Sequence, residues 1–228
     1  AAGQQRATDL SGNGNDAILG PDATSESAGS RTGLALSAQN TSYAIADLDE
    51  AARSTFTFSA IVRSPNVSMG GRFIAHRMTA YEQASGCAGG GFSLADNGYL
   101  DFQCQRFRVP AFATDLHLPS RPWVAVTVVY DGRNLQVYVG GVLAGIERFT
   151  GLFWVDEGTT VSMAIVPQIT WVSDLVLGQR MIVPNGGFSN TYAWEGWLDQ
   201  VAWFDHVPAP AVLTPLTTGV FPDDIVNY

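Results

Sequence analysis

Aromatic side chains beside amide and carboxyl groups are the features of this sequence best suited to chemistry. The polar neighbours are Asp174 and Asn190, and the rings, all in turn-rich stretches, are Trp154, Trp171, Tyr192 and Trp194. An aromatic ring stacks on the C–H face of a sugar, while Asn and Asp side chains hydrogen-bond its hydroxyl groups. Tryptophan and tyrosine are also enriched at protein interfaces, and loop aromatics can pack on their own loops. The pattern favours a binding surface for a glycan or a neighbouring protein.

Acidic residues do not show the spacing of a catalytic pair. Glycoside hydrolysis needs two carboxyl groups about 5–10 Å apart. None of the six glutamates has a second acid two positions further along a predicted strand; they are Glu26, Glu50, Glu82, Glu147, Glu157 and Glu195. We interpret them as solvated surface charges.

Histidine and serine residues give little further support to catalysis. The sequence has no Gly-x-Ser-x-Gly turn, and no His/Cys/Asp cluster has the spacing of a zinc site. His76 lies on an alternating segment and could serve a polysaccharide lyase site if it faced a concave sheet with Tyr81 or Arg77. His117 and His206 are expected to be exposed or to lie in a turn. We therefore expect a non-catalytic protein.

Two cysteines, Cys87 and Cys104, allow one disulfide. A three-residue turn at 96–98 pairs Leu94 with Leu100 and keeps apolar residues on one face of a hairpin. That register places Cys104 across from the glycine-rich loop that carries Cys87. The spacing predicts a disulfide, and with it an oxidising compartment; two free thiols are the alternative.

The composition excludes several classes of protein. With 228 residues, 46% of them hydrophobic and 14% charged, the chain is long and apolar enough to bury a core. The net charge is −9, and all 12 Lys+Arg residues are arginine, which argues against binding to nucleic acid. No apolar run approaches the roughly 20 residues that a membrane helix needs. Without a linker-like segment, we expect one domain over 1–228.

Strand patterns dominate the sequence. Residues 55–63 alternate between apolar and polar, and residues 123–130 are apolar on both faces, as in a central strand. Turns at 131–134 and at Gly140-Gly141 then predict a three-stranded meander, with Tyr130 opposite Leu135. Only 208–216 could form a short helical turn. The pattern predicts an all-β, two-sheet antiparallel jelly-roll sandwich.

Four segments, in this order, resemble the LamG-like jelly-roll domains of the concanavalin A-like lectin/glucanase superfamily: Asp9–Ala17, Phe56–Arg63, Arg121–Gly141 and Gly196–Pro208. The resemblance covers about residues 9–216, with 217–228 as a C-terminal tail. The matching residues are mostly core and turn positions, so the resemblance implies the fold and little about function. The Glu-x-Asp-x-x-Glu strand of the superfamily's glucanases is absent.

Calcium is the one cofactor that the resemblance implies. Many members hold a structural ion, which here could use Asp9 and Asp199. A separate loop site would draw on Asp156, Glu157 and Asp174, because calcium prefers oxygen ligands. The alternatives are a turn role for Asp9 and a hydrogen bond within the sheet for Asp199.

These observations predict a non-catalytic binding module that is extracellular or displayed on a cell or virion surface. Its partner would be a glycan, held by the aromatic residues. The alternative is a structural or attachment module of a virion or appendage that contacts protein neighbours, including other copies of itself. We expect no binding to nucleic acid and no insertion into a membrane.

Overall fold

The computed structural model describes most of the chain. The described residues are 5–10, 13–39, 41–48, 52–63, 72–80, 92–96, 100–104, 107–110, 123–132, 134–149, 154–156, 159–161, 169–183, 187–188 and 193–221. Their secondary structure is almost entirely β, and one α-helix is described over its whole length, α1 (Pro210–Thr218). In chain order, the strands are β1 (Arg6–Ala7), β2 (Ala17–Leu19), β3 (Thr24–Ala28), β4 (Arg31–Leu36), β5 (Ala44–Ala46), β6 (Ala52–Arg53), β7 (Phe56–Arg63), β8 (Arg72–Arg77), β9 (Phe92–Asp96), β10 (Leu100–Cys104), β11 (Phe107–Pro110), β12 (Val124–Tyr130), β13 (Asn134–Val139), β14 (Val142–Phe149), β15 (Trp154–Asp156), β16 (Thr159–Val161), β17 (Ile169–Thr170), β18 (Leu175–Leu177), β19 (Met181–Val183), β20 (Gly187–Phe188) and β21 (Gly196–Phe204).

Two antiparallel sheets contain most of these strands. The eight-strand sheet has the order β1-β2-β5-β18-β8-β9-β10-β11, and the nine-strand sheet has the order β16-β15-β14-β13-β12-β7-β21-β4-β3. Strands distant in sequence are neighbours in the nine-strand sheet, where β21 pairs with both β4 and β7. Two small pairs, β6 with β17 and β19 with β20, lie outside both sheets. The predicted two-sheet sandwich is confirmed.

The meander β12–β13–β14 has the predicted register. Tyr130 lies opposite Leu135, and Val128 lies opposite Val137. Gly140 and Gly141 both have positive φ values, 57° and 84°, as the tight turn between β13 and β14 requires. Apolar alternation over a short sequence separation was sufficient to set this pairing.

The hairpin β9–β10 differs from the predicted register by two residues. Phe102, not Leu100, lies opposite Leu94, and Leu100 lies opposite Asp96. A shift of two residues keeps the same side chains on the same face, because the side-chain period of a strand is two. Apolar matching alone therefore could not distinguish the two registers.

The core lies between the two sheets, where the inward positions of the strands meet. Its largest fully buried side chains are Trp171, Trp194, Tyr130, Phe56, Phe58 and Ile74. Burial of each apolar side chain of this size contributes roughly 1.5–3 kcal/mol relative to leaving it exposed. Trp171 and Trp203 meet edge to face, with ring centroids 5.3 Å apart. The aromatic cluster thus fills the space between the sheets with favourable ring geometry.

A bulge in β21 decides which of its residues face the core. Leu198 pairs with Val62, and Trp203 pairs with Phe58, although five positions separate Leu198 from Trp203. An odd separation would place them on opposite faces of a regular strand. An extra residue in the bulge restores the alternation, and Gln200 there has a φ of 49°. Leu198 and Trp203 both pack against the core as a result.

Helix α1 covers part of the outer face of the nine-strand sheet. It has nine residues and is longer than the predicted single turn, because Pro210 lies in the first turn, where no amide hydrogen is needed, and Pro215 is tolerated inside it. Gly219, with a φ of 81°, ends the helix by donating its N–H to the Leu216 carbonyl at 3.0 Å. The Thr127 hydroxyl donates to the same carbonyl oxygen at 3.4 Å and joins the helix to the sheet.

The predicted tail at 217–228 begins inside α1, which ends at Thr218. Residues 222–228 lie outside the described residues. Among the helices that the structure describes, none is long and apolar enough to cross a membrane.

Candidate ligand-binding site

Two of the predicted ligand-stacking tryptophans are core residues. Trp171 and Trp194 are each 1% exposed. The Trp171 ring packs against Phe56 and Trp203, with centroid distances of 5.4 and 5.3 Å. A ring enclosed in this way has no free face for a sugar, so the prediction for Trp171 and Trp194 is wrong. Proline, threonine and glycine near them in the sequence resembled loop composition, but the packing partners come from distant strands.

The other predicted binding residues are only partly described. Trp154 begins β15, which pairs with β14 and β16, and its side chain is outside the described part. Tyr192 and Asn190 lie outside the described residues altogether. Asp174 is described and half-buried, next to Ser173, whose hydroxyl donates to the Asp174 carbonyl at 3.0 Å. A binding role for these four residues stays a prediction.

His76 and Arg77 are enclosed by the sandwich. His76 is 0% exposed and Arg77 is 2% exposed. The Arg77 guanidinium carbon lies 5.1 Å from the centroid of Trp171 and 5.0 Å from that of Trp203, while Nε donates to the Ser173 carbonyl at 3.0 Å. A histidine without solvent access cannot contact a polysaccharide, so the lyase alternative has no exposed base here. Tyr81, its predicted partner, lies outside the described residues.

Both aspartates that the resemblance assigned to calcium have protein partners. Asp199 forms an ion pair with Arg31 at 2.8 Å on the outer face of the nine-strand sheet. Asp9 accepts a hydrogen bond from the backbone of Asn15 at 2.9 Å, and its own N–H donates to Asp16, as expected for a turn residue. Within the described residues, no group of three potential His, Cys, Asp or Glu ligands lies together. Calcium remains a prediction.

The second proposed calcium site and the disulfide involve residues that are incompletely described. Asp156 ends β15, with its side chain outside the described part, and Glu157 is outside it entirely. Cys104 ends β10, and Cys87 lies outside the described residues. The pairing of the two cysteines stays a prediction.

An open pocket lies at the β3–β4–β21 end of the nine-strand sheet. We call it the edge pocket; its volume is about 200 Å³, and its lining is Asp22, Thr24, Glu26, Ala35, Leu36, Ser37, Glu195, Gly196 and Trp197. Three carboxyl groups, two hydroxyl groups and one indole ring therefore meet around one small cavity. Trp197 and Glu195 are half-buried, whereas Asp22, Thr24 and Glu26 are exposed.

Cross-strand register explains how these residues come together. Thr24 on β3 pairs with Ala35 on β4, which pairs with Trp197 on β21, which in turn pairs with Arg63 on β7. The row alternates with core positions such as Leu198, so it faces away from the other sheet. Ala35 is the smallest member of the row and leaves space between the threonine and the indole.

Gly196 allows the chain to pass closely beside the pocket. A Cβ atom at this position would lie 2.3 Å from Cζ2 of Trp194 and 2.6 Å from the carbonyl oxygen of Arg63. Any larger residue would push Trp194 or the neighbouring strand away. Because Gly196 has no side chain, the buried Trp194 ring can pack directly against β21. The residue that follows Gly196 on this strand is the half-buried Trp197.

The polar groups of the pocket are partly pre-arranged. The Thr24 hydroxyl donates to Glu26 Oε1 at 2.9 Å, and the Thr41 hydroxyl donates to Asp22 Oδ2. The Trp197 indole Nε1 is buried and has no acceptor among the described residues. Arg63 lies over the Trp197 ring, with its guanidinium carbon 5.4 Å from the centroid. The carboxylates retain acceptor capacity for further donors, because each can accept about four hydrogen bonds.

This pocket is not evident from the sequence. Glu26 and Glu195 have the pattern of solvated surface charges, and Trp197 lies in the segment that resembles the family's closing strand, with no predicted role. The local signal was present: Thr24 and Glu26 lie two positions apart on β3 and share a face. Pairing β3 with β4 and then with β21 was the missing step, because β4 and β21 lie far apart in the sequence.

The chain belongs to the concanavalin A-like lectin/glucanases superfamily. A laminin G family model with that description matches residues 37–212. This match covers more than half of the chain and agrees with the two-sheet architecture. No curated protein matches the chain.

Solved structures with the same architecture are distant in sequence. The binding domain of Paraclostridial Mosquitocidal Protein 1 is 13% identical with a TM-score of 0.57, and the match covers 92% of this chain and 49% of that one. Domain 4 of AbnA, an extracellular arabinanase of Geobacillus stearothermophilus in complex with arabinotriose, is 14% identical with a TM-score of 0.54; the coverage is 92% and 93%. A sialidase of Trypanosoma rangeli is 14% identical with a TM-score of 0.57, with 93% and 30% covered. This chain spans about half the length of the mosquitocidal protein's binding domain and 30% of the length of the sialidase. These likenesses show a shared fold.

Proposed function

We propose that the chain is a non-catalytic binding module and that a saccharide occupies the edge pocket. The observation that carries the proposal is the combination of a half-buried indole, Trp197, with carboxyl and hydroxyl groups in one cavity. A sugar presents C–H groups to an aromatic ring and hydroxyl groups to acceptors such as Glu26 and Glu195. At about 200 Å³, the pocket is smaller than the 300–1,000 Å³ typical of ligand sites, which suits a single sugar unit at a chain end or branch.

The described roles of two related structures support this proposal. One is a domain of an extracellular arabinanase in complex with arabinotriose, and another is the binding domain of a mosquitocidal protein. A chain of the same architecture suits the same general role. We extend the proposal to its location, outside the cell or on the surface of a cell or virion.

A glycan array followed by calorimetric titration tests the proposal. The chain should bind at least one saccharide, and Trp197→Ala should weaken that binding at least about tenfold, because a buried stacking contact contributes roughly 0.5–1.5 kcal/mol beyond its buried area. Thr32→Ala is the control, since Thr32 is exposed on β4 but does not line the pocket. Absence of binding on a broad array would overturn the proposal, as would a ligand held equally by the Trp197→Ala protein.

A second candidate function is attachment to protein neighbours, as in a virion or appendage subunit. Val142 and Leu143 favour it, because these adjacent apolar side chains at the start of β14 are 60% and 44% exposed. Light scattering distinguishes the candidates. A stable oligomer that dissociates in Val142→Ser, together with no saccharide binding, would select the attachment role.

A further inference from the structure

We infer that the edge pocket discriminates among saccharides by charge, preferring an amine-bearing sugar to a neutral one and a neutral sugar to one that carries a carboxylate or sulfate. The inference rests on the proposed function, since it concerns the ligand of the same pocket. It adds the class of ligand, which neither the family nor the related structures assign to this chain.

The carboxyl groups of the pocket come from two parts of the chain, at β3 and at the start of β21. Asp22 precedes β3, Glu26 lies on β3, and Glu195 directly precedes β21. Glu195 is far from Asp22 and Glu26 in sequence, so their meeting around one cavity is a property of the folded chain. No lysine or arginine is among the residues that line the pocket in the described part of the chain.

Arg31 and Arg63 lie on strands of the same sheet but do not line the pocket. Arg31 forms an ion pair with Asp199 at 2.8 Å, and this carboxylate balances the charge of the guanidinium. Arg63 lies over the Trp197 ring, 5.4 Å from the centroid, at the end of the cross-strand row that starts at Thr24. The side of the row that contains Thr24 and Ala35 is therefore the acidic side. A ligand placed there meets carboxylates first.

A metal site does not explain the carboxylates of the pocket. Among the described residues, no three His, Cys, Asp or Glu side chains form a group that could hold a metal ion. The cavity between them is instead wide enough for a group of molecular size, and the Trp197 ring supplies an apolar wall. An acidic cavity with an aromatic wall suits a polyol whose hydroxyl or ammonium groups donate to carboxylate oxygens.

The direction of the selectivity follows from Coulomb's law. A ligand charge about 4–6 Å from a carboxylate changes affinity roughly fivefold or more, favourably for an ammonium group and unfavourably for a carboxylate. Glu195 is expected to contribute most, because it is half-buried while Asp22 and Glu26 are exposed. The net charge of −9 acts in the same direction by repelling polyanionic chains before contact.

Matched sugar series measure this selectivity. Calorimetric titration of methyl glycosides of glucose, glucosamine and glucuronic acid, and of the corresponding galactose series, changes the charge while the ring is kept. In the series that binds, the amine form should bind about fivefold or more tightly than the uronic acid, with the neutral sugar between them. Raising the salt concentration to about 0.5 M should compress the series, because screening weakens charge–charge contacts.

Glu195→Gln and Asp47→Asn provide the test at the residue level. Glu195→Gln should reduce the ratio of amine to uronic acid affinity by at least about threefold, whereas Asp47→Asn, at an exposed acid that does not line the pocket, should leave the ratio unchanged. A uronic acid that binds as tightly as the amine form would overturn the inference while leaving the proposed function intact. An unchanged ratio in Glu195→Gln would do the same. If no saccharide binds, the proposed function itself fails.

Discussion

Ala35 lies directly opposite Trp197 on adjacent antiparallel strands, and Thr24 lies on the other side of Ala35. The small side chain in the middle of this row creates a hollow between an indole and a hydroxyl group on the outer face of the sheet. The acids around the hollow, Glu26 and Glu195, complete a cavity of about 200 Å³. The edge pocket is therefore a direct consequence of strand register and of one small residue.

Filling this hollow should remove binding and leave the fold intact. Ala35→Leu would place a larger side chain between Thr24 and Trp197 on the outer face, away from the core. Saccharide affinity should fall at least about tenfold, while the free energy of unfolding changes by less than about 1 kcal/mol because no core atom is displaced. Titration calorimetry and urea denaturation measure the two quantities. Normal binding by the Ala35→Leu protein would show that the ligand lies elsewhere.

Adding one methyl group at Gly196 should destabilise the protein. The Cβ atom of Gly196→Ala would lie 2.3 Å from Trp194 and 2.6 Å from a backbone oxygen of Arg63, so the strand must shift. Overpacking of this kind costs about 1–3 kcal/mol, which urea denaturation can measure.

Gly14→Ala is the control for that substitution. Gly14 has a positive φ of 80°, but a Cβ atom added there would have no heavy atom within 4 Å, so only backbone strain of about 1 kcal/mol is expected. If the two variants lose the same stability, the close contact between Gly196 and Trp194 does not exist as described.

Arg77 should be important for stability even though it is not in the edge pocket. Its guanidinium lies beside the rings of Trp171 and Trp203, which contact each other, and donates to the carbonyl oxygens of Ser173 and Leu48. Arg77→Ala would leave a cavity, and the buried Ser173 carbonyl and the part-buried Leu48 carbonyl would lose this donor, at a cost of about 3 kcal/mol or more. Thermal and chemical denaturation should both show the loss.

Arg77→Met distinguishes the two contributions. The methionine side chain fills much of the space beside the two tryptophan rings but donates no hydrogen bond, so the free energy of unfolding of this variant should lie between those of the wild type and the alanine variant. At a low temperature, where the variant is folded, its saccharide affinity should match that of the wild type. A loss of affinity in folded Arg77→Met would place the ligand inside the sandwich and contradict the edge pocket.

The sequence was sufficient for the parts of the fold that depend on nearby residues. The meander register follows from the alternation around Tyr130 and Leu135 together with the short turn at 131–134, which sets the register. The predicted register of the β9–β10 hairpin is wrong by two residues, because alternation alone is unchanged by a shift of two and Leu94 stays opposite an apolar residue. Alternation determines which face a residue takes but not always which residue it meets.

The candidate site was harder to predict because it depends on long-range pairing. Trp194 and Trp197 are three positions apart in a polar stretch, and composition could not show that one is 1% exposed while the other is half-buried. The bulge near Gln200, with its φ of 49°, also changes which residues of β21 face outward. Only the pairing of β21 with β4 brings Glu26 to the same cavity as Trp197.

The indole N–H signals of the six tryptophans provide the most direct measurement of where a ligand binds. In a ¹H–¹⁵N correlation spectrum, single Trp→Phe variants at positions 154, 171, 194 and 197 assign the four signals, and the saccharide selected on the array is titrated into the protein. We predict that the Trp197 signal shifts with saturable dependence on ligand concentration, while those of the buried Trp171 and Trp194 do not. A titration that moves the Trp154 signal and leaves that of Trp197 in place would contradict the edge pocket as the binding site.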